Sequence, residues 1–162
     1  RLYAEAGEHG KRDAMFQKAP AAVKADFRVL LQRVHYLVDV ERFDDALALL
    51  EAHTYHPWEG WIAGRVAYLR VLHGRADKAM RQGNYGQAID DLHKAMEFPE
   101  NLGVGKPHQP NYGCEYYKLG LCCKAQGKKE QAREFFTKAV ASPNEPSPGS
   151  ADWYERAEEE LE

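Results

Sequence analysis

The sequence contains little cysteine, and its three cysteines lack the spacing of a metal or redox motif. Cys114, Cys122 and Cys123 are an odd number, and no Cys-x-x-Cys pair occurs among them. A disulfide framework needs paired cysteines, and a metal or redox site would need a further ligand such as His108 to join them. We therefore interpret the three as small apolar residues in helix contacts, and we predict neither a metal site nor a cofactor.

Long uncharged apolar runs and an excess of positive charge are also missing. No uncharged apolar run approaches the roughly 18 residues that a membrane-spanning helix needs. The formal net charge is -3, so the summed electrostatic field does not favour nucleic acid or an anionic membrane. We predict neither of these partners and expect a cytoplasmic protein. Because the chain begins at Arg1 rather than Met, we expect it to be a piece of a longer protein.

A recognisable catalytic motif is absent as well. The carboxylate pairs Asp44/Asp45 and Asp90/Asp91 are adjacent on predicted helices, so the two side chains of each pair diverge and cannot flank a scissile bond. We interpret both pairs as parts of solvated helix faces. No glycine-rich phosphate loop follows a predicted strand. The sequence therefore predicts no catalytic residue and no enzyme in this segment.

What the chain does contain is a repeated pattern of two helices separated by a glycine, clearest between Tyr116 and Pro143. Its alanine positions recur upstream at Ala46 and Ala88 before Ala132, at intervals of 42 and then 44 residues. Three matches at nearly constant spacing are a strong signal for helical repeats. In the clearest copy, one face of the first helix carries Tyr116, Leu119, Gly120 and Cys123. Gly127 ends that helix, and one face of the second helix carries Ala132, Phe136 and Ala139.

This pattern resembles the tetratricopeptide repeat, which has an aromatic, a Leu-Gly pair and a large residue on one helix, then alanine, aromatic, alanine and proline. Cys123 replaces the usual tyrosine, and the period exceeds the family's roughly 34 residues. The resemblance implies an all-α, right-handed solenoid of about three two-helix repeats with a C-terminal capping helix. Its interior should contain Ala46, Leu50, Ala88, Leu92, Leu119, Gly120, Ala132, Phe136 and Ala139.

We predict a single domain over residues 1–162. One helix is expected from Pro20 to Val38, and a long helix from about Glu59 to Gln82, in which Gly64 and Gly74 allow close approach of a neighbour or a mild bend. The predicted parts are a degenerate stub at 1–19, repeats at 20–57, 58–110 and 111–143, and a capping helix at 150–162.

In proteins with this repeat the first helix of each pair lines a concave groove, which the resemblance implies here too. Helical periodicity identifies the face of each first helix that lies opposite its buried residues. The cationic and aromatic residues on that face suit an extended acidic or polar peptide. A plain solvated face is the alternative. The candidate groove residues, expected to be accessible, are Arg28, His35, Arg70, His73, Asp77, Arg81, Tyr117 and Lys124.

Two proline-containing loops follow predicted second helices, and their sequences resemble the C-terminal repeat region of large bacterial proteins. The preceding part of those proteins is a β-sandwich domain similar to sugar mutarotases and some glycoside hydrolases. Two functions stay open: a non-catalytic scaffold that binds a peptide or partner domain, and a helical accessory region of a carbohydrate-active enzyme. The loops either contact such a β-rich domain or pack on the solenoid itself. The candidate interdomain residues are Pro57, Trp58, Glu59, Trp61, Asn101 and Leu102.

Overall fold

A computed structural model describes residues 9–55, 62–147 and 151–162, and this part of the chain contains nine α-helices and no β-strand. A short 3-10 helix covers Glu100–Leu102. The all-α prediction is confirmed. In chain order the helices are α1 (His9–Lys18), α2 (Ala21–Ala25), α3 (Phe27–Asp39), α4 (Phe43–Glu51), α5 (Ala63–Arg81), α6 (Tyr85–Ala95), α7 (Gly113–Ala125), α8 (Lys129–Val140) and α9 (Trp153–Glu159).

The helices form three consecutive hairpins, α3–α4, α5–α6 and α7–α8. The second helix of each hairpin also packs on the first helix of the next, so that α4 contacts α5 and α6 contacts α7. At the end of the stack α9 packs on both α7 and α8, in the place predicted for a capping helix. This arrangement confirms a helical-repeat fold, while its right-handed sense stays a prediction.

The interior of the hairpins is occupied by the residues that the alanine spacing selected. Small residues allow two helices to cross closely, and the large residues between them fill the remaining space. All nine predicted positions are buried, which confirms the register of the repeats. They are Ala46, Leu50, Ala88, Leu92, Leu119, Gly120, Ala132, Phe136 and Ala139.

Glycines mark the closest contacts between neighbouring elements. A Cβ atom added to Gly120 would lie 2.5 Å from Phe136 Cε1, and one added to Gly74 would lie 2.5 Å from Phe43 Cε1. At Gly64 it would meet Tyr55 Cβ at 2.9 Å. The prediction that Gly64 and Gly74 allow a neighbour to approach closely is therefore confirmed.

The prediction of one helix from Pro20 to Val38 is wrong, because the chain leaves the helical conformation at Asp26. Asp26 has φ -67° and ψ 121°, and its side chain accepts a hydrogen bond from the Arg28 backbone N–H at 2.9 Å. It thus acts as the N-cap of α3, a role that aspartate fulfils well. Hydrogen bonds from the Arg28 side chain and backbone also lower the pKa of Asp26 to about 2.

The long first helix of the second hairpin begins at Ala63, with Ile62 outside the helical ladder. This start is later than the predicted one near Glu59. Residues 56–61 lie outside the described part of the chain. The helix ends at Arg81, one residue before the predicted Gln82.

The interpretation of both acid pairs as solvated is wrong for Asp91, which is 2% exposed. Asp91 Oδ2 lies 3.0 Å from Arg75 Nε, and Arg75 Nη1 lies 3.0 Å from Asp44 Oδ1. Burial raises the pKa of Asp91, while the charge of Arg75 opposes that shift. Arg75 on α5 therefore joins Asp44 on α4 to Asp91 on α6, a role that adjacency in the sequence does not reveal.

We expect Gly120→Ala to lower the free energy of unfolding by about 1–2 kcal/mol, because overpacking against Phe136 outweighs the better helix propensity of alanine. The matched control is Gly86→Ala in α6, where an added Cβ meets nothing closer than Asn84 Oδ1 at 4.0 Å. That change should be neutral or stabilising by up to about 1 kcal/mol. Urea denaturation of both variants measures the difference, and equal effects would contradict the packing described here.

Candidate functional site

The first helices of the second and third hairpins, α5 and α7, meet through charged side chains. His73 Nε2 lies 2.9 Å from Glu115 Oε1. Lys118 Nζ donates hydrogen bonds to Asp77 Oδ1 and Oδ2 at 2.7 and 2.8 Å. His73, Glu115 and Lys118 are at most 4% exposed. Since an isolated buried charge is strongly destabilising, each of these pairs holds the two first helices in one relative position.

The first helices α3 and α5 are joined by a more exposed polar contact. Arg70 Nη1 donates a hydrogen bond to His35 Nδ1 at 3.1 Å, and Arg70 Nη2 lies 3.8 Å from Asp39 Oδ1. Burial, followed by the charge of Arg70, lowers the pKa of His35, and Asp39 opposes the shift. His35 is therefore neutral at pH 7, and Arg70 carries the positive charge of this contact.

Two of the candidate groove residues are not accessible, which corrects the expectation of a continuous surface containing them. His73 is 0% exposed and Tyr117 is 6% exposed. Glu115 of α7 covers His73, while Tyr117 belongs to the core cluster that includes Phe136 of α8 and Trp153 of α9. Helical periodicity identifies a face of a helix, but it does not show how closely a later helix packs on that face.

The other candidate groove residues remain partly or largely exposed. The side chains of Arg28, Arg81 and Lys124 are 73%, 60% and 59% exposed, and that of Asp77 is 35% exposed. Each of the three cations is close to an acid: Arg28 pairs with Asp26, Arg81 Nη2 lies 3.5 Å from Glu41 Oε1, and Lys124 binds Glu160. Exposed ion pairs of this kind contribute only about 0–1 kcal/mol each.

Of the two proline loops, the second lies in the described part of the chain, and it packs on the helices there. Leu102 is 1% exposed and belongs to the core between α3, α4 and α5. Asn101 Nδ2 donates hydrogen bonds to the carbonyl oxygens of Leu50 and His53, at 2.8 and 2.7 Å. Leu102 is thus not available to another domain, and Asn101 satisfies carbonyl groups at the end of α4. Pro57, Trp58, Glu59 and Trp61 lie outside the described residues.

Sequence reasoning did not select three buried charged residues, Arg65, Glu115 and Lys118. A signal for two of them was present. His73 and Asp77 are four residues apart on α5, and Glu115 and Lys118 are three apart on α7, so each pair lies on one face. Along α5 a basic residue, His73, precedes an acidic one, Asp77, whereas along α7 the acidic Glu115 precedes the basic Lys118. This complementary order indicates that the two faces meet.

The cysteines lie in helix contacts, as interpreted from the sequence. Cys114, Cys122 and Cys123 are free and buried. Burial raises the pKa of the Cys114 and Cys122 thiols to about 11. Among the residues that the structure describes, no group of three or more His, Cys, Asp and Glu could hold a metal ion. No helix in that part of the chain is long and apolar enough to cross a membrane.

Part of the chain matches a known family. Residues 116–145 match the tetratricopeptide repeat model, and this range covers most of α7 and all of α8. The match supports a tetratricopeptide repeat in the third hairpin and a protein-interaction scaffold in general. No solved structure matches the chain.

The contact between Asp77 and Lys118 can be tested with a double-mutant cycle. Asp77→Leu should cost about 3 kcal/mol of unfolding free energy, because it leaves the buried ammonium of Lys118 unpaired. Lys118→Met should cost less, because Asp77 can be hydrated, and the double variant should recover part of the loss. Urea denaturation of the four proteins gives the coupling energy.

The control for this cycle is the pair formed by Lys94 and Glu51, whose side chains are 37% and 49% exposed. Its coupling energy should be below about 1 kcal/mol. If the Asp77–Lys118 coupling is no larger than this, the pair does not hold α5 and α7 together.

The burial of the cysteines predicts low thiol reactivity. A raised pKa keeps the Cys114 and Cys122 thiols protonated at pH 8, and the thiolate is the reactive form. We expect negligible labelling of these two residues by a maleimide in the native protein. All three cysteines should react after denaturation, counted by mass spectrometry. Rapid native labelling of Cys114 or Cys122 would contradict their placement.

Proposed function

We propose that the chain is a non-catalytic scaffold and that an acidic, extended segment of a protein partner binds along the exposed face of α3, α5 and α7. The observation that carries the proposal is the set of accessible cations on these three first helices. Arg28 lies on α3, Arg70 and Arg81 on α5, and Lys124 on α7. The tetratricopeptide repeat match to the third hairpin supports protein binding in general.

The ion pairs that these cations now make favour exchange with a partner's carboxylates. The side chains of Arg70 and of its acidic neighbour Asp39 are 40% and 61% exposed. Because such a pair contributes little, a carboxylate supplied by a partner can replace Asp39 at small cost. An arginine also binds carboxylates with two parallel hydrogen bonds, which adds geometric specificity.

The spacing of the cations indicates an elongated partner. Arg70 and Arg81 are eleven residues apart on one helix, which corresponds to roughly 16 Å at 1.5 Å per residue. An extended peptide covers that distance with about five residues. A partner that also reaches α3 or α7 must cross further helices at spacings of about 8–10 Å. A single small carboxylate cannot contact this whole set.

The alternative function, a helical accessory region that packs on a β-rich enzyme domain, draws no support from the described loop residues. Leu102 is inside the core, and Asn101 is bonded to the end of α4.

The proposal can be tested by selecting peptides from a random phage-displayed library on the wild-type chain. Enriched peptides should carry two or more acidic residues. Their affinity, measured by fluorescence polarisation, should fall at least tenfold for the Arg70→Glu/Arg81→Glu variant, because both contacts become repulsive. The native circular dichroism spectrum should persist, since exposed substitutions cost about 0.5 kcal/mol or less.

The matched control is Lys129→Glu/Arg133→Glu on α8, where both residues are exposed. It changes the net charge by the same amount, so it accounts for long-range repulsion. It should weaken peptide binding by less than about threefold. Equal losses in the two variants, or enriched peptides without acidic residues, would overturn the proposal.

A further inference from the structure

A small pocket lies between the N-terminal parts of α5 and α7, beside residues 145–147. It has a volume of about 140 Å³. Arg65 and Leu69 of α5, Glu115 of α7 and Trp153 of α9 line it, together with Asn111 and Glu145. Glu145 is exposed, so the pocket can be reached from solvent at that side. A cavity of about this volume holds one molecule of roughly six non-hydrogen atoms.

Arg65 lines this pocket and has an unused hydrogen-bond donor. The residue is 8% exposed, and its Nη2 donates to the carbonyl oxygen of Ala95 at 2.5 Å. Its guanidinium also lies over the Phe98 ring, 4.3 Å from the centroid. Nη1 is buried and has no hydrogen-bond partner in the described part of the chain. A buried donor without a hydrogen-bond partner is costly. An acceptor atom of a bound ligand would satisfy Nη1 and remove that cost.

Glu115 brings an acceptor to the same pocket. Its Oε1 is engaged with His73, at 2.9 Å from Nε2. The second oxygen, Oε2, is the acceptor that this carboxylate can offer to a ligand. The side chain is 4% exposed, so His73 and the surrounding helices fix its position. Donor and acceptor are therefore both present, on neighbouring helices.

The charges around the pocket decide which ligand chemistry fits. The lining includes one arginine and two glutamates, Glu115 and Glu145, so a carboxylate ligand would face more negative than positive charge. An ammonium ligand would leave Nη1 of Arg65 unsatisfied and would be repelled by its guanidinium. A primary carboxamide is neutral, has an acceptor oxygen for Arg65 and has N–H donors for Glu115. Leu69 and Trp153 supply apolar walls for the carbon atoms attached to it.

We propose that this pocket binds a primary carboxamide, with its oxygen at Arg65 Nη1 and its amino group at the Glu115 carboxylate. The group can come from a glutamine or asparagine side chain of a partner or from a free small amide. The proposal goes beyond the proposed scaffold function, since it uses none of the exposed cations and stands whether or not an acidic peptide binds.

The test is an NMR titration of the full ¹⁵N-labelled chain with three probes of similar size: propionamide, propionate and propylammonium. Propionamide should give saturable shifts at the backbone amides of Cys114 and Glu115 and at the Arg65 Nε–H. Its Kd should be roughly 1–100 mM, as expected for so small a ligand. The Kd for either charged probe should be at least threefold higher.

Two arginine variants test whether propionamide binds in the pocket or elsewhere on the chain. Arg65→Met should weaken propionamide binding at least tenfold. The control Arg133→Met removes an exposed arginine of α8 that does not line the pocket, and it should leave the Kd within twofold. If Arg65→Met does not fold, the position of the shifts in the wild-type protein and the ranking of the three probes still decide the question.

Blocked glutamine and blocked glutamate distinguish the two sources of the carboxamide. Binding of blocked glutamine at least as tight as propionamide assigns the pocket to a partner's side chain, whereas its exclusion assigns the pocket to a free amide. Either outcome supports carboxamide recognition. Non-saturable shifts, shifts remote from α5 and α7, tighter binding of a charged probe, or unchanged binding to Arg65→Met would overturn it. The titration contains no partner protein, so its result is separate from that of the peptide selection.

Discussion

Aromatic rings that pack directly on glycines set the distances between the elements of this chain. Phe136 packs on Gly120 within the third hairpin, and Phe43 packs on Gly74 between the first hairpin and the second. A Cβ atom added to Gly113 would lie 2.2 Å from Trp153 Cη2, so the capping helix depends on the same kind of contact. Because each ring occupies the space where a side chain would otherwise lie, successive helices approach closely enough to bury the alanine positions of every repeat.

That close stacking divides the face of the first helices into two sets of polar residues. His73, Glu115 and Lys118 are buried and hold α5 against α7, so they are unavailable to a partner. Arg70 and Arg81 remain accessible, and their acidic neighbours Asp39 and Glu41 are exposed. The proposed binding surface is therefore narrower than the full face of the helices. Because the chain has a net charge of -3, the proposed surface suits a partner whose acidic groups are local rather than one that is acidic throughout.

The parts of the fold that depend on spacing within one hairpin could be predicted from the sequence. The recurrence of Ala46, Ala88 and Ala132 fixed the repeats, because small residues are required wherever two helices of a pair cross. Contacts between hairpins could not be predicted in the same way. Helical periodicity gave the face on which His73 and Tyr117 lie, but the helix packed against it, α7 for His73 and α9 for Tyr117, decides whether that face is exposed to solvent.

Hydrogen bonds and ion pairs between polar groups that are distant in the sequence could not be predicted from local sequence patterns either. Asp91 is buried because Arg75 reaches it from α5, and Asn101 serves carbonyl groups about 50 residues earlier. Asp26 is a local exception. Its tendency to cap a helix was readable from the residue type, although the apolar periodicity around it predicted an uninterrupted helix.

The claim that a partner binds along the first helices is tested most directly by photo-crosslinking to an acidic peptide that binds the wild-type chain. A photoreactive amino acid at position 39 would lie beside Arg70, while one at position 134 would lie exposed on α8. Both substitutions remove one acidic side chain, so the two proteins have the same net charge. The account predicts crosslinks to the peptide from position 39 and few or none from position 134. Crosslinks chiefly from position 134 would contradict it.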